Sequence, residues 1–171
     1  MGVDISIRVY HYNEEENKWH RLQLFRQNEK TGEVEEVYIY NGRNTEMFNA
    51  LQNQSYDDNY GEFPCHSVRW NSLDENEREE LKKYQDTFGY YGFSEVSLYA
   101  MKAYLNEHPQ VKDYDEDWET DKEGNLIPQY CDNPIASLYK EIIYFIDFAS
   151  YFGLWNMGEY ENYKVIYFFD C

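Results

Sequence analysis

The feature that most constrains the fold is the run of β-branched and aromatic residues at 163–171, YKVIYFFDC. A run of this composition predicts an inner strand of a β-sheet. Residues 3–10 show a second strand pattern, because apolar and polar side chains alternate with the period of a strand that buries one face. We expect the two strands to lie side by side. The apolar set of the first strand is Val3, Ile5, Ile7 and Val9.

Two further strands are predicted close to the first one. The polar turn at residues 11–18 leads into WHRLQLFRQ (residues 19–27), which alternates again and suits an antiparallel partner. After a turn around Gly32, the segment EVEEVYIYN (residues 33–41) has the composition of a third strand. Residues 3–41 are therefore predicted to form a three-stranded meander.

Helical patterns follow the meander. Asn44 is a suitable N-cap for a short helix in NTEMFNALQN (residues 44–53), where apolar side chains recur at helical spacing. Ser72 and Glu75 then match a capping box, in which each side chain bonds the backbone amide of the other residue. This pattern predicts a second helix over residues 73–86, on the outside of the fold because most of its face is charged.

Two more helices are predicted in the second half of the chain. The glycine-punctuated aromatic segment TFGYYGFS indicates a link whose last residue, Ser94, caps a helix through about Glu107. Residues 110–132 have the composition of a loop. Asn133 followed by Pro134 is a strong helix start, and we expect the helix to run to about Phe152 and to end at Gly153. The apolar positions after it cover much of the helix circumference, which is typical of a central helix packed on a sheet.

Together these elements predict an α+β fold. An antiparallel sheet of about four strands, made of the N-terminal meander and the C-terminal strand, should pack against three to four helices. A length of 171 residues suits one domain, and neither a linker nor an internal repeat divides the sequence. We expect residues 1–171 to form a single acidic domain.

The net charge of −18, from 33 acidic and 15 basic side chains, limits the partners of the chain. A field of one sign repels phosphate backbones and attracts cationic surfaces within a Debye length of about 8–10 Å. Direct nucleic-acid binding is therefore disfavoured. The excess is uneven, since residues 86–171 hold 16 acidic and 5 basic side chains, which is −11 of the total.

Cysteine content and the N-terminal residues set expectations for the cellular compartment. Cys65, Cys131 and Cys171 are widely spaced and odd in number, which argues against a disulfide framework and a zinc knuckle. The segment MGVDISIRVY lacks the pattern of a secretion signal, and no apolar run of about 18 residues occurs. We expect a protein of a reducing cytoplasm, with no membrane-spanning segment.

Six carboxylates fall within the nine positions Asp113–Asp121. The first aspartates alternate as in a calcium loop, but Trp118 stands where that loop needs glycine and Gly124 where it needs a bidentate glutamate. A solvated acidic loop and a contact surface for Arg and Lys both remain open. The contact surface would combine carboxylates with aromatic faces, and its residues are Asp113, Tyr114, Asp115, Glu116, Asp117, Trp118, Glu119 and Asp121.

Catalytic and cofactor motifs are absent from the sequence. It contains no HExxH, no glycine-rich phosphate loop and no Gly-x-Ser-x-Gly elbow, and the four histidines do not pair on a helical face. A site built from Cys65 and His66 with Asp4 or Asp170 needs distant residues to meet, and adjacent side chains on a strand point to opposite faces. We therefore predict a protein that is not an enzyme and that holds no cofactor or metal.

The segment NGRN at residues 41–44 joins a predicted strand to a predicted helix. In the structural interpretation, Gly42 adopts an unusual backbone angle and Arg43 pairs with a nearby carboxylate. The alternative is a small anion bound at the helix N-terminus, where free backbone amides and the helix dipole favour negative charge.

Four segments together resemble a family of largely uncharacterised proteins found in phages and mobile elements. They are MGVDISIRVY, YNGRNTEMFNAL, HSVRWNSLDENE and YKVIYFFD, which stand in the order of the family's Met-Gly-x-Asp-Ile-His, Gly-Arg-Asn, His-Ser-x-x-Trp and Phe-Asp motifs. Ser6 replaces the usual His. The motif residues that the resemblance picks out in this chain are Asp4, Gly42, Arg43, Asn44, Phe48, His66, Ser67, Trp70 and Asp170.

The resemblance implies a small phage-borne acidic protein and no reaction. Such a context favours an inhibitor of host defence, for example an anti-CRISPR protein that occupies a DNA-binding groove. The leading hypothesis is thus a non-enzymatic inhibitor in the host bacterial cytoplasm, monomeric or homodimeric. It would bind a basic host protein, such as a type II CRISPR nuclease, with carboxylates in place of phosphates.

Two other functions remain open. The first is a small-ligand or metal-binding protein whose site joins Asp4, Arg43, His66 and Asp170 between the sheet and the helix after NGRN. The second is a structural or assembly protein, in which the tyrosine-rich exterior serves self-association. Convergence of the four residues in a pocket would favour the ligand-binding function.

Overall fold

A computed structural model describes residues 3–39, 41–53, 60–113, 117–151 and 162–170. In these residues the helices are α1 (Thr45–Leu51), α2 (Glu75–Phe88), α3 (Leu98–Glu107) and α4 (Pro134–Tyr151). A 3-10 turn lies at Trp70–Ser72. The strands are β1 (Asp4–Asn13), β2 (Lys18–Arg21), β3 (Phe25–Gln27), β4 (Val34–Glu36), β5 (Asn41–Gly42), β6 (His66–Ser67), β7 (Tyr91–Ser97), β8 (Gln110–Lys112), β9 (Glu119–Thr120), β10 (Leu126–Ile127), β11 (Tyr130–Asp132) and β12 (Tyr163–Asp170).

The main sheet runs in the order β2-β1-β12-β7-β6, and β5 also pairs with β1. All of these strands pair antiparallel. β1 and β12 form the centre, with a register that runs from Asp4 opposite Asp170 to His11 opposite Tyr163. The α+β class is confirmed, and so is the prediction that the last strand lies beside the first.

One face of the sheet carries the large apolar core. The alternating side chains Ile5, Ile7 and Val9 of β1 are buried there, as the sequence predicts, and α1, α3 and α4 cover them. α4 begins at Pro134, and Asn133 accepts a hydrogen bond from the Ile135 amide in its first turn (3.0 Å). Each large apolar side chain that is fully buried contributes about 1.5–3 kcal/mol. The stop predicted at Gly153 lies outside the described residues.

The opposite face of the sheet is also buried, so the expectation that β1 buries one face is wrong. Tyr10 of β1 and Ile166 and Phe168 of β12 form a second core there. α2 covers this face through Leu81, and the 3-10 turn covers it through Trp70. The alternation of β1 misled the prediction because polar side chains on this face are buried through partners that lie far away in the sequence.

Arg8 is the clearest of these buried polar groups, with 7% of its surface exposed. Its guanidinium donates to the carboxylates of Glu77 and Glu80 on α2, and Tyr10 also donates to Glu77. Burial, together with the negative charge of Glu77, raises the pKa of Tyr10 well above its usual value. A buried charge is tolerated when it is paired and hydrogen-bonded, and α2 supplies both conditions.

A second buried ion pair joins β7 to β12. The Lys164 ammonium lies 2.6 Å from the Glu95 carboxylate, and these side chains are only 2% and 1% exposed. Arg69 donates to the same carboxylate at 2.6 Å, and the Lys164 ammonium lies 4.8 Å from the centre of the Trp19 ring. Glu95 of β7 therefore links Lys164 of β12 to Arg69, which lies in the segment before α2.

Of the third strand of the predicted meander, residues 33–41, the last residue Asn41 joins the main sheet through β5, but Val34–Glu36 does not. Val34–Glu36 pairs with Phe25–Gln27 in a separate two-stranded hairpin, so the meander is limited to β1 and β2. The main sheet instead takes β7 from the segment that we expected to be a link. Ser94 lies inside that strand, and the cap of α3 is Ser97, whose hydroxyl accepts from the Ala100 amide (3.1 Å).

The start of α2 also differs from the prediction. Asp74 is the N-cap, and its carboxylate accepts from the Glu77 amide at 3.1 Å. The predicted cap, Ser72, belongs to the 3-10 turn and donates to the Arg69 carbonyl. The capping-box match failed because the turn before the helix uses Ser72 for its own hydrogen bond.

Replacing Glu95 by Gln should destabilise the fold by about 3–5 kcal/mol, because the Lys164 ammonium is left buried without a countercharge. A Glu95→Leu/Lys164→Met double variant should lie within about 2 kcal/mol of the wild type, since the desolvation cost of both charges disappears. Urea unfolding at neutral pH measures both differences. A double variant less stable than Glu95→Gln would contradict this account of the pair.

The same ion pair predicts a pH dependence. Burial opposes ionisation of Glu95, but hydrogen bonds from Lys164 and Arg69 lower its pKa below the usual 4.5. A depressed pKa in the folded state contributes stability above the unfolded pKa, and this contribution is lost as the pH falls through the folded pKa. The stability gap between wild type and Glu95→Gln should therefore shrink below pH 4.5. Unfolding curves at stepped pH test this, and a constant gap would refute it.

Candidate functional site

The described residues of the segment 110–132 pair as a β-hairpin between α3 and α4, and we call this segment the acidic hairpin. β8 pairs with β11 at its base, and β9 pairs with β10 at its tip. The expectation of a loop without strands is wrong here, because ladders of two or three residue pairs are too short to leave a periodic pattern. Val111 is buried in the large core and Cys131 packs against it, so the base of the hairpin is anchored.

The acidic hairpin exposes both charged and apolar side chains. Asp117 and Glu119 are exposed near its tip. Leu126 is 64% exposed and Tyr130 is 57% exposed on the returning strands. Across residues 110–132 the sequence has eight acidic and two basic side chains. Three predicted contact residues, Tyr114, Asp115 and Glu116, lie outside the described residues.

Two of the predicted contact residues have structural roles in the hairpin. The Asp121 carboxylate closes the tip by accepting from the amides of Glu123 and Asn125, both at 2.8 Å, and hydrogen bonds from Asn125 are the main cause of its lowered pKa. Trp118 donates its indole N–H to the Asp113 carbonyl at 2.5 Å. Of the predicted contact residues that are described, Asp117 and Glu119 are therefore the ones most open to a partner.

The carboxylate pair, Asp4 and Asp170, lies at one end of the central strands on the face covered by α2. The two residues are directly opposite in the β1–β12 register, where like charges destabilise a sheet. Arg43 donates to Asp4 at 2.8 Å. This hydrogen bond is the main cause of the raised pKa of Arg43, and the charge of Asp170 contributes further. Burial, together with the nearby Asp170 carboxylate, raises the pKa of Tyr90 above its usual value. Arg43 thus offsets the repulsion, as the structural interpretation of NGRN predicts.

His66 is not part of this group. It lies on β6 opposite Glu95, and Glu95 is opposite Ile166. Ile166 is four residues from Asp170 along β12, which is about 13 Å at ~3.3 Å per residue. His66 Nδ1 lies 3.6 Å from the Glu95 carboxylate instead. The structure therefore brings together three residues of the predicted ligand site, Asp4, Arg43 and Asp170, and places His66 elsewhere.

The remaining motif residues support the fold. The Asn44 side chain accepts from the Met47 amide at 2.8 Å, so the predicted N-cap of α1 is confirmed. The Phe48 ring packs edge-on against Phe169 in the large core, and the Trp70 ring lies 5.7 Å from the Phe93 ring in the second core. α1 has only seven residues, and its cap occupies the amide that an anion would need.

Two cavities were not predicted from the sequence. The larger is an apolar groove of about 800 Å³ between the β3–β4 hairpin and α4. The smaller, of about 130 Å³, lies beside the carboxylate pair, and we call it the tyrosine pocket; it is lined by Ser6, Ile7, Arg8, Tyr38, Tyr84, Tyr90 and Phe168. The only sequence signal for the tyrosine pocket is the alternation of Asp4, Ser6 and Arg8 on one face of β1.

Comparisons with known proteins do not place the chain in a family. No protein-family model matches it, and neither a curated protein nor a solved structure gives a match. Within the described ranges, no helix is long and apolar enough to cross a membrane. The same part of the chain holds no group of three or more His, Cys, Asp or Glu side chains that could bind a metal ion.

Replacing Asn44 by Ala should destabilise the protein by about 0.5–2 kcal/mol, because the Met47 amide loses its acceptor. Asn44→Asp should restore most of the loss, since aspartate is an equally good N-cap. Urea unfolding measures both changes. An Asn44→Ala variant as stable as the wild type would show that this motif residue does not act as a cap.

Proposed function

We propose that the protein is a non-enzymatic inhibitor that binds a basic, nucleic-acid-binding host protein through the acidic hairpin. The observation that carries this proposal is the joint exposure of carboxylates and large apolar side chains on one anchored hairpin. Glu119 lies opposite Ile127 in the β9–β10 ladder, and Asp117 is exposed two residues before it. Leu126, Ile127 and Tyr130 are exposed on the returning strands, and the core does not use them. Aromatic and aliphatic anchors surrounded by polar groups are typical of protein–protein interfaces.

The charge of the chain supports a cationic partner. Carboxylates on the hairpin add to a net charge of −18 over the whole chain, and such a field speeds association with a positive surface and repels nucleic acid. A groove that holds a phosphate backbone presents Arg and Lys side chains at close spacing. Carboxylates on a narrow hairpin can enter such a groove and pair with those side chains in place of phosphates.

The resemblance to phage and mobile-element proteins guides the choice of the first partner to test. Type II CRISPR nucleases read a short duplex motif with arginines in a basic cleft, and an acidic hairpin suits that chemistry. In this proposal the protein acts in the host bacterial cytoplasm, as a monomer or homodimer, and competes with DNA for the cleft.

Changing the six hairpin carboxylates to amides should weaken binding to a guide-loaded type II CRISPR nuclease by at least about 10-fold. The changes are Asp113→Asn, Asp115→Asn, Glu116→Gln, Asp117→Asn, Glu119→Gln and Asp121→Asn. The amide oxygen at position 121 can still accept from the backbone amides of Glu123 and Asn125, whereas the bond that the Asn125 side chain donates to the second carboxylate oxygen is lost. Equilibrium binding at about 50 and 200 mM salt should show steep weakening for the wild type and a shallower slope for the variant.

A matched control removes six exposed carboxylates elsewhere: Glu14→Gln, Glu15→Gln, Glu29→Gln, Glu79→Gln, Asp86→Asn and Glu107→Gln. It makes the same change in net charge, so it should keep most of the affinity. Target DNA should compete with the wild-type protein for the nuclease. Unchanged binding by the hairpin variant, or equal losses in both variants, would overturn the proposal.

A small-ligand function is the second candidate, and the convergence of Asp4, Arg43 and Asp170 beside the tyrosine pocket favours it. A metal ion suits this place less well than an organic ligand. Two carboxylates, one of them already paired with Arg43, fall short of the six or more oxygen ligands that calcium takes. The tyrosine pocket instead offers aromatic walls next to the carboxylates.

A further inference from the structure

The tyrosine pocket is walled by aromatic rings that lie nearly parallel. The Tyr84 and Tyr90 rings are 5.3 Å apart at an interplanar angle of 11°, and the Tyr90 and Phe168 rings are 5.7 Å apart at 25°. The Arg8 guanidinium lies over the Tyr84 and Phe168 rings, 5.1 and 5.8 Å from their centres. The fold therefore already packs one cation on these ring faces, which is the geometry of a cation–π contact.

The charges around the tyrosine pocket sum to a negative value. Arg8 is neutralised by Glu77 and Glu80, which both accept hydrogen bonds from it. The carboxylate pair at the end of the pocket is offset by Arg43 alone. Arg8 is the one charged side chain among the described lining residues, and with the nearby Arg21–Glu36 pair five carboxylates surround three guanidinium groups. This excess repels an anion and attracts a cation.

Tyr90 connects the pocket to the carboxylate pair. Its ring lines the pocket, and its pKa is raised by burial and by the nearby Asp170 carboxylate. Asp4 lies two residues before Ser6 on the same face of β1, about 6.6 Å along the strand. Ser6 and Tyr90 therefore place one end of the pocket next to the carboxylate pair.

The size of the pocket limits the ligand. A volume of about 130 Å³ equals that of about four water molecules at ~30 Å³ each. It is well below the ~300 Å³ at which pockets for drug-sized ligands begin. A nucleotide or a peptide backbone is too large, whereas a single guanidinium or small alkylammonium group fits.

We propose that the tyrosine pocket binds a small organic cation of the guanidinium or alkylammonium type. The ring face of Tyr90 stabilises its charge, and Asp170 and Asp4 attract it. This inference deepens the second candidate function by naming the ligand class, and it does not depend on the acidic hairpin. The cation comes either as a free small molecule or as an Arg or Lys side chain of a bound protein, since both present the same group.

Titrating the full chain with methylguanidinium and with tetramethylammonium tests the proposal. Both should bind saturably and shift the ring resonances of Tyr90 and Phe168 in NMR spectra, whereas the neutral analogues urea and tert-butanol should bind at least about 10-fold more weakly. A blocked arginine peptide is the second probe. Binding as tight as that of methylguanidinium supports a protein side chain as the ligand, and binding of the free cation alone supports a small molecule.

Variants separate the two parts of the site. Asp170→Asn and Tyr90→Leu should each raise the dissociation constant several-fold, and Tyr90→Phe, which keeps the ring, should retain most of the affinity. Glu14→Gln makes the same charge change as Asp170→Asn at a distant turn and should leave the dissociation constant unchanged. Circular dichroism confirms that each variant is folded.

Two results would overturn the inference. One is equal binding of the neutral analogues, and the other is an unchanged dissociation constant in both Asp170→Asn and Tyr90→Leu. Tight binding of urea or tert-butanol in this pocket would leave the second candidate function standing and remove only the cation class. Binding of no probe at all would remove both. The six-amide hairpin variant should bind the cations normally, so failure of the hairpin proposal is observed separately.

Discussion

The antiparallel pairing of β1 with β12 is the contact on which the rest of the structure depends. It joins residues more than 150 positions apart, and the chain entropy of closing such a loop grows only slowly with its length, by about 0.6 kcal/mol per doubling. The gain is a pair of central strands covered on both faces. One face is apolar and receives α1, α3 and α4, and the other combines aromatic rings with buried charges and receives α2.

The charged face explains why α2 and β7 lie where they do. Arg8 and Lys164 stand on adjacent central strands, and each needs a carboxylate before it can be buried. Glu77 on α2 and Glu95 on β7 supply them. The same pairing sets Asp4 against Asp170 and forms the end of the tyrosine pocket, whereas the acidic hairpin extends from the connection between α3 and α4. The two candidate binding surfaces therefore belong to different parts of the fold.

Local patterns predicted the parts of the fold that depend on apolar side chains. The alternation of Val3–Val9, the apolar run at 163–170 and the Asn133–Pro134 start led to the central pairing and to α4. The strand β7 was not predicted because its polar residues Ser94, Glu95 and Ser97 do not match the apolar pattern of a buried strand. The burial of Glu95 depends on its ion pair with Lys164, which lies 69 positions away in the sequence. Neither strand propensity nor periodicity indicates such a partner.

The candidate site could be predicted only in part for the same reason. Asp4, Arg43 and Asp170 were grouped because the family resemblance picked them out, and the β1–β12 pairing with the Arg43–Asp4 hydrogen bond brings them together. His66 was assigned to the wrong neighbours, since its position depends on the register of β6 with β7. The structural role of Asp121 in the turn was also not predicted. The sequence does not distinguish a carboxylate that accepts hydrogen bonds within a turn from one that contacts a partner.

Hydrogen–deuterium exchange of the protein, alone and in a saturated complex with a guide-loaded type II CRISPR nuclease, tests the central functional claim most directly. The account predicts that the backbone amides of residues 110–132 exchange more slowly in the complex, with smaller changes in α1 and β1. Unchanged exchange in the acidic hairpin, with protection on another surface, would contradict it.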